Sequence, residues 1–266
     1  MTVETEGQAL DFGGIDTVLL DLDGTLIPME QQAFLDAYFA DLARFVAGYG
    51  YRDARALFEA LMRGVGAMIK NDGGATNRER FWDAFSAVLG QQVRELEPAL
   101  LGFYRHEFDA VRRVLGPARD VRRLLTLLRG PGRTLYLATN PLFPPAAVET
   151  RLGWIGLVPA DFAGITTYDN SHFCKPNPDY YREILRRLGR RPESCLMIGN
   201  NPSDDMSALQ AGLRGFLVTD YLENEQGLDI APFCHGTFSE LTALAARGAC
   251  QPGVKGKERG NSDPVF

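Results

Sequence analysis

The chain has 266 residues, 45% hydrophobic and 23% charged, with a net charge of −6. That length and composition suit one large folded domain, or a core carrying an inserted module, and exclude a disordered or fibrous chain. The acidic balance, with no basic block ahead of the C-terminal tail, lacks the footprint of a nucleic-acid binder, and no apolar run approaches the roughly 20 residues that cross a bilayer.

Residues 1–7 are polar and acidic, unlike a secretory leader. The first element is an apolar run, Thr17-Val18-Leu19-Leu20, which reads as a short buried strand. It leads into Asp21-Leu22-Asp23-Gly24-Thr25, so two carboxylates two residues apart sit on the turn made by Asp23-Gly24. Like charges held that close repel, and one is driven toward protonation unless a cation lies between them. The same five residues also read as a plain Asp-Gly turn with Thr25 as a helix cap, so on their own they leave both readings open.

Residues 28–116 read as nearly all helical. Phe34, Leu35, Tyr38, Phe39, Leu42, Phe45 and Val46 form one apolar stripe, and Phe81, Trp82, Phe85, Val88 and Leu89 form another behind a Thr76-Asn77 cap. Such stripes are expected to bury against neighbouring helices. Lys70, Asn71 and Asp72, in the loop before Gly73-Gly74, are candidate substrate contacts, although a turn explains the same residues. The whole block enters directly after the paired aspartates, as an inserted lid does.

From residue 117 onward, helices and strands alternate. Helices are expected at 118–128, 146–152, 179–188 and 204–211, and strands at 134–138, 164–167, 195–198 and 215–218. Val121, Leu124, Leu125 and Leu128 share one face of the first helix; Asn177 caps the third, with Pro178 in its first turn. This alternation implies βαβ units: an α/β, Rossmann-like parallel sheet in a three-layer αβα core. The expected division is a core of residues 1–27 and 117–248, a helical cap of 28–116 and a flexible tail of 249–266.

Ligands of open α/β sheets bind beyond the carboxyl ends of the strands. The first strand delivers Asp21 and Asp23 to that edge, the second Thr139 and Asn140, the loop after the third Lys175, and the fourth Asn200 and Asn201 followed by Asp204 and Asp205. This set suits phosphoryl transfer, whose main demand is to neutralise the charge of the group in flight. Mg²⁺ accepts one or two carboxylates, a phosphate oxygen and waters. One aspartate can attack phosphorus while its neighbour moves protons.

In order and context, DLDGT, Thr139, Lys175 in CKPNPDYY and the IGNNPSDD loop resemble the haloacid dehalogenase-like superfamily of phosphohydrolases, across roughly residues 15 to 240. That resemblance implies Asp21 as nucleophile, Asp23 as general acid/base, and Thr139 and Lys175 as phosphoryl contacts. It also implies a C1-type cap and a metal held by Asp21, Asp23 and the last acidic loop. Asp23 argues against carbon–halogen chemistry, because family members of that kind typically lack it. Asn200 departs from the family's Gly-Asp pattern and offers Mg²⁺ a weaker neutral oxygen, for which Asp204 or Asp205 compensates unless one of them caps a helix.

The expectation is therefore a cytoplasmic Mg²⁺-dependent phosphatase of a small phosphorylated metabolite, binding neither nucleic acid nor membrane. A phosphomutase, or a weakened member that binds a phosphorylated ligand or a protein, is the alternative. Substrate identity and oligomeric state are not legible. Cys174, Cys195, Cys234 and Cys250 are scattered without a CxxC pair, which points to neither zinc nor disulfides. His172 is a weak candidate for substrate contact, and His106 and His235 are weaker still.

Overall fold

The computed structural model describes residues 11–249 apart from 131, so residues 1–7, Cys250 and all but the first residue of the expected tail lie outside it. Five parallel strands, β1 (Thr17–Leu20), β2 (Thr134–Leu137), β3 (Cys195–Gly199), β4 (Arg214–Val218) and β5 (His235–Gly236), form one sheet in the order β2-β1-β3-β4-β5. Leu19 of β1, between β2 and β3, lies opposite Tyr136 on one side and Met197 on the other. Strands covered on both faces have no polar side to show, which is why β1 and β3 read as unbroken apolar runs and are buried throughout.

The helices are α1 (Gln31–Ala47), α2 (Ala54–Ile69), α3 (Asn77–Leu89), α4 (Glu97–Arg105), α5 (Val121–Arg129), α6 (Pro145–Trp154), α7 (Pro178–Leu188) and α8 (Phe238–Ala249). Val121, Leu124, Leu125 and Leu128 of α5 and Leu241 of α8 join Val18, Leu20 and Ile198 in the core on one face of the sheet. Tyr180, Tyr181 and Ile184 of α7 pack on Leu19, Tyr136 and Met197 on the other. The sequence α1–α4 stands between β1 and α5 with no strand of its own. The starts of α2 and α3 are capped by side chains. Asp53 accepts from the backbone N–H of Arg55 and Ala56, and Thr76 with Glu79 forms a reciprocal capping box.

Two expected elements differ. Residues 164–167 are no strand of the sheet: only Ile165 bridges to Leu137, on the outer edge of β2. Gly164 approaches the Tyr136 ring so closely that a Cβ there would lie 2.5 Å from it, and the chain turns away after Thr167. Residues 204–211 are a turn followed by a 3₁₀ helix, Met206–Ala211. Asn201 accepts from the backbone N–H of Ser203 and Asp204, both at 2.9 Å, and this Asx turn occupies the place where an α-helix would begin.

Gly24 has φ +72°, and a Cβ on it would run into the Asn200 amide. Gly24→Ala therefore combines left-handed backbone strain with overpacking at the junction of β1 and β3. We expect it to cost about 2 kcal/mol or more, read as a lower urea midpoint at unchanged slope.

Candidate active site

The chain leaves β1 to build β2 on one side and returns to build β3 on the other, so a crevice opens beyond the carboxyl ends of these strands. Asp21, Asp23, Thr139, Asn140, Lys175, Asn200, Asn201, Asp204, Asp205 and Glu223 all line it. Every site residue expected from the sequence is brought to this one place.

At its floor, Lys175 Nζ donates to Asp21 Oδ1 at 2.8 Å and to Asp205 Oδ1 at 2.6 Å. The lysine is 2% exposed. Burial alone would discharge an ammonium, but Asp205 and Asp21 overcome it and hold the Lys175 pKa well above its ordinary value. The second oxygen of Asp205 accepts from the backbone N–H of Asn201 at 2.9 Å. Asp205 fits there because Gly199 lacks a Cβ; any side chain would strike its carboxyl group. Both oxygens of Asp205 are thus engaged, and neither caps the following helix.

Burial is also the main influence on Asp21. Opposed by Lys175 and reinforced by Asp205 and Asp23, it pushes the Asp21 pKa up to about 7. Asp23 is raised by burial as well, against the pull of Arg151 and Lys175. Its Oδ2 ion-pairs with Arg151, whereas its Oδ1 is buried without a partner. Asp204 is raised by burial and by Asp205, and accepts from Asn140 Nδ2 at 3.3 Å. The Asn140 carbonyl oxygen accepts from the backbone N–H of Lys175 at 3.3 Å, so one amide ties the ends of β2 and of the lysine loop together. The Thr139 backbone carbonyl is fixed by Thr166 Oγ1 at 2.6 Å and the Tyr180 hydroxyl at 3.0 Å.

Asn200 is tethered. Its oxygen accepts from Thr25 Oγ1 at 3.2 Å and its amide nitrogen donates to the Tyr221 carbonyl at 2.6 Å. An aspartate could make only the first of these bonds. Thr25 therefore anchors Asn200 and does not cap a helix.

Two site residues escaped the sequence reading. Glu223 lies five residues beyond β4, at the edge that was inspected only for the other strands. Its backbone N–H donates to the Asn200 carbonyl at 3.0 Å, and its carboxylate accepts from Asn201 Nδ2 at 3.4 Å. The Gln31 amide, turned with its nitrogen toward Glu223, donates to it at 2.7 Å. Burial, then Asp21 and Asp205, push Glu223 up to about 8. Arg151 lies on α6, fully buried beside Ala147, Val148 and Leu152. Its guanidinium sits 4.5 Å from the centre of the Phe143 ring. A cation among apolar neighbours on one helix face demands a buried anion, and that was the signal for it.

Other candidates resolve as structural. His172 pairs with Glu183 of α7 at 2.8 Å and does not line the crevice. The Cys174 thiol is buried, receives Asn77 Nδ2 at 3.3 Å and is pushed up to about 12, the profile of an inert thiol. Asn71 bonds within its own turn and to Asn77, and Asp72 pairs with Arg80; neither lines the crevice, and Lys70 is exposed.

The donor set suits a small hard cation. Asp21, Asp204, Asp205 and Glu223 line the same crevice as one lysine, and Asp23 Oδ1 has no partner among the described residues, so the crevice is rich in oxygen donors. Among the described residues, no three His, Cys, Asp or Glu side chains converge as a finished metal cage. That is compatible with Mg²⁺, which needs few protein ligands.

Residues 15–212 match the family model of haloacid dehalogenase-like hydrolases. The chain belongs to that family. It is 24% identical over 200 residues to pyrophosphatase PpaX of Bacillus velezensis, covering 75% of this chain and 81% of that one. A shorter stretch of 77 residues, 26% of this chain and 34% of the relative, is 35% identical to glyceraldehyde 3-phosphate phosphatase of Methanothermobacter thermautotrophicus. The crystal structure of a 2-haloacid dehalogenase from Pseudomonas syringae pv. tomato superposes with a TM-score of 0.56 at 23% identity, covering 88% of this chain and 99% of that one. The family fold is thus shared across the hydrolase. No helix among the described residues is long and apolar enough to cross a membrane.

Glu223 carries a pH signature. An unfolded carboxyl deprotonates near 4.5, whereas this one keeps its proton to about 8, so the native state binds more protons across that window and its stability falls as pH rises through it. Glu223→Gln removes the effect. In metal-free protein with chelator present, the melting temperature of the variant should match the parent near pH 4.5, rise above it progressively, and hold a constant lead beyond pH 8.

Proposed function

We propose that this hydrolase is a Mg²⁺-dependent phosphatase that works through an aspartyl-phosphate on Asp21. The observation that carries the reading is the arrangement on the crevice floor: an attacking carboxylate oriented by a buried lysine, next to a second carboxylate held apart by its own arginine. The relatives named pyrophosphatase and phosphatase favour the same chemistry, and Asp23 separates the chain from carbon–halogen cleavage.

In this reading Lys175 binds one oxygen of Asp21 and leaves the other free to attack phosphorus. As the new P–O bond forms, the ester P–O bond breaks, and Asp23 gives its proton to the departing alkoxide. Burial raises the Asp23 pKa, the direction that suits a proton donor. The Arg151 pair then stabilises the carboxylate that remains. In the second half Asp23 takes a proton from water, the water oxygen bonds to phosphorus, and Asp21 leaves as carboxylate. Thr139 and Lys175 contact the phosphoryl oxygens.

When bound, Mg²⁺ would neutralise charge on the phosphate and on Asp21. The carboxylates available to hold it are Asp21, Asp204 and Glu223. Asp205, with both oxygens engaged, positions Lys175 instead, and Asn200 buttresses the Gly24 turn. Residues 28–116 act as the cap that keeps bulk water from the intermediate, over a core of 1–27 and 117–248, and the protein works in the cytoplasm on a small phosphorylated substrate.

Acid-quenched single-turnover reactions with a panel of phosphate esters and Mg²⁺ test this. Phosphate should be released, and Asp21 should carry the label. Asp21→Asn should lose at least about a thousandfold in kcat, and Asp23→Asn about 10²- to 10⁴-fold. Retention of the phosphoryl group on the product would indicate a mutase. Turnover unaffected by Asp21→Asn would remove the proposal. Mg²⁺ at a hundred times its Kd should stabilise the protein by about 2.7 kcal/mol, and Glu223→Gln should weaken that effect.

A further inference from the structure

Next to the polar crevice lies a second chamber of about 590 Å³, walled by α1, α2, α3 and α4 and by residues 142–144 of the core. The two spaces share Gln31, Leu35, Asn140, Leu142, Phe143 and Asp204, so together they form one recess with the paired aspartates at its floor. The stripes of α1 and α3 were expected to pack against neighbouring helices. Phe34 does pack away from it, but Leu35, Tyr38, Phe39, Leu42 and Phe85 line this chamber, and Tyr38, Leu42 and Phe85 are buried core residues as well.

Its chemistry is one-sided. Leu61, Val65, Phe81, Trp82, Leu100 and Tyr104 give it an aliphatic and aromatic wall. The Tyr38 and Tyr104 hydroxyls lie 2.7 Å apart and hydrogen-bond to each other, which removes that polarity from the wall. The charged residues lining it are Asp36, Glu97 and Asp204, all acidic, and among the described residues no lysine, arginine or histidine lines it. Glu97 is already paired with Arg78 at 2.6 Å. A substrate with a second phosphoryl or carboxylate group would bring that anion into a space offering no cation, where desolvation of charge is costly. A pyrophosphate would also leave most of the volume unfilled, whereas chambers of this size hold drug-sized ligands.

We propose that the substrate is the monophosphate ester of an uncharged, predominantly apolar alcohol, with the phosphate on Asp21 and the hydrocarbon in this chamber. The inference rests on the phosphatase reading above. Phe58, Met62 and Ile69 continue the apolar wall along α2 and are about half exposed, at 50%, 46% and 44%. They give a chain longer than the chamber an apolar route outward.

The test is a series of n-alkyl phosphates from ethyl to decyl, with glycerol phosphate and pyrophosphate as polar competitors, at fixed Mg²⁺. Burial of each methylene predicts a rise in kcat/KM of about fourfold per carbon until the chamber is full. Val65→Trp, which fills the chamber, should flatten that slope. Non-hydrolysable 1-decylphosphonate should raise the melting temperature of the parent protein, independently of turnover. If short esters or pyrophosphate are hydrolysed best and the slope is flat or falling, this inference fails and the phosphatase reading stands. If no ester of any length is hydrolysed while decylphosphonate still stabilises the protein, the chamber assignment stands and the phosphatase reading fails.

Discussion

One buried ammonium decides the geometry of the catalytic edge. Lys175 holds Asp21 from β1 and Asp205 from the loop after β3 within hydrogen-bond distance of a single nitrogen, almost out of contact with solvent. Removing the lysine would leave two buried carboxylates without their shared cation, a defect worth about 3–5 kcal/mol in comparable settings. The rest of the edge serves this contact. Asn140 grips the lysine backbone, Asn201 offers its N–H to Asp205, and Gly199 leaves the space that the Asp205 carboxyl group fills. The ends of three strands are thereby tied together at one edge of the sheet.

The bridge does not balance the charge. Asp21, Asp204 and Asp205 share one lysine, Glu223 adds a carboxyl group near Asp21 and Asp205, and burial drives the pKa of Asp21 to about 7 and that of Glu223 to about 8. A native state that must hold protons on carboxylates near neutrality gives up stability, as functional sites commonly do. The fold tolerates this because the site is confined to the ends of β1, β3 and β4, while their centres are fully buried hydrocarbon.

Much of this was legible before any coordinates. Apolar runs flanked by turns marked β1 and β3, and the spacing of Val121, Leu124, Leu125 and Leu128 marked α5, because burial on a defined face leaves a periodic trace. The site residues were legible because the carboxyl ends of parallel strands share one edge. What failed did so for local reasons. Residues 164–167 have strand composition, but Gly164 is used for a close approach to Tyr136 and the pairing stops at one residue. The Asx turn of Asn201 replaced an expected helix start. Arg151 pairs with Asp23, 128 residues away in sequence, Glu223 meets Asn201 and, at the start of α1, Gln31, and no periodicity encodes such pairings. The chamber was invisible for a related reason: an apolar stripe looks the same whether it meets a neighbouring helix or an open space.

Asn200 draws these strands together. A carboxylate at that position would add a negative charge to a cluster already short of cations, and would forfeit the donor that binds the Tyr221 carbonyl. The asparagine instead spends both ends of its amide on structure, bracing Thr25 beneath the Gly24 turn and the chain beyond β4. That chain carries Glu223 into the crevice, with its backbone bonded to the Asn200 carbonyl. The carboxylate lacking at the end of β3 is thus supplied from beyond β4. The same carboxylate receives Gln31 at the first residue of α1, so one side chain ties the end of β3, the chain beyond β4 and the entrance of the helical insertion together.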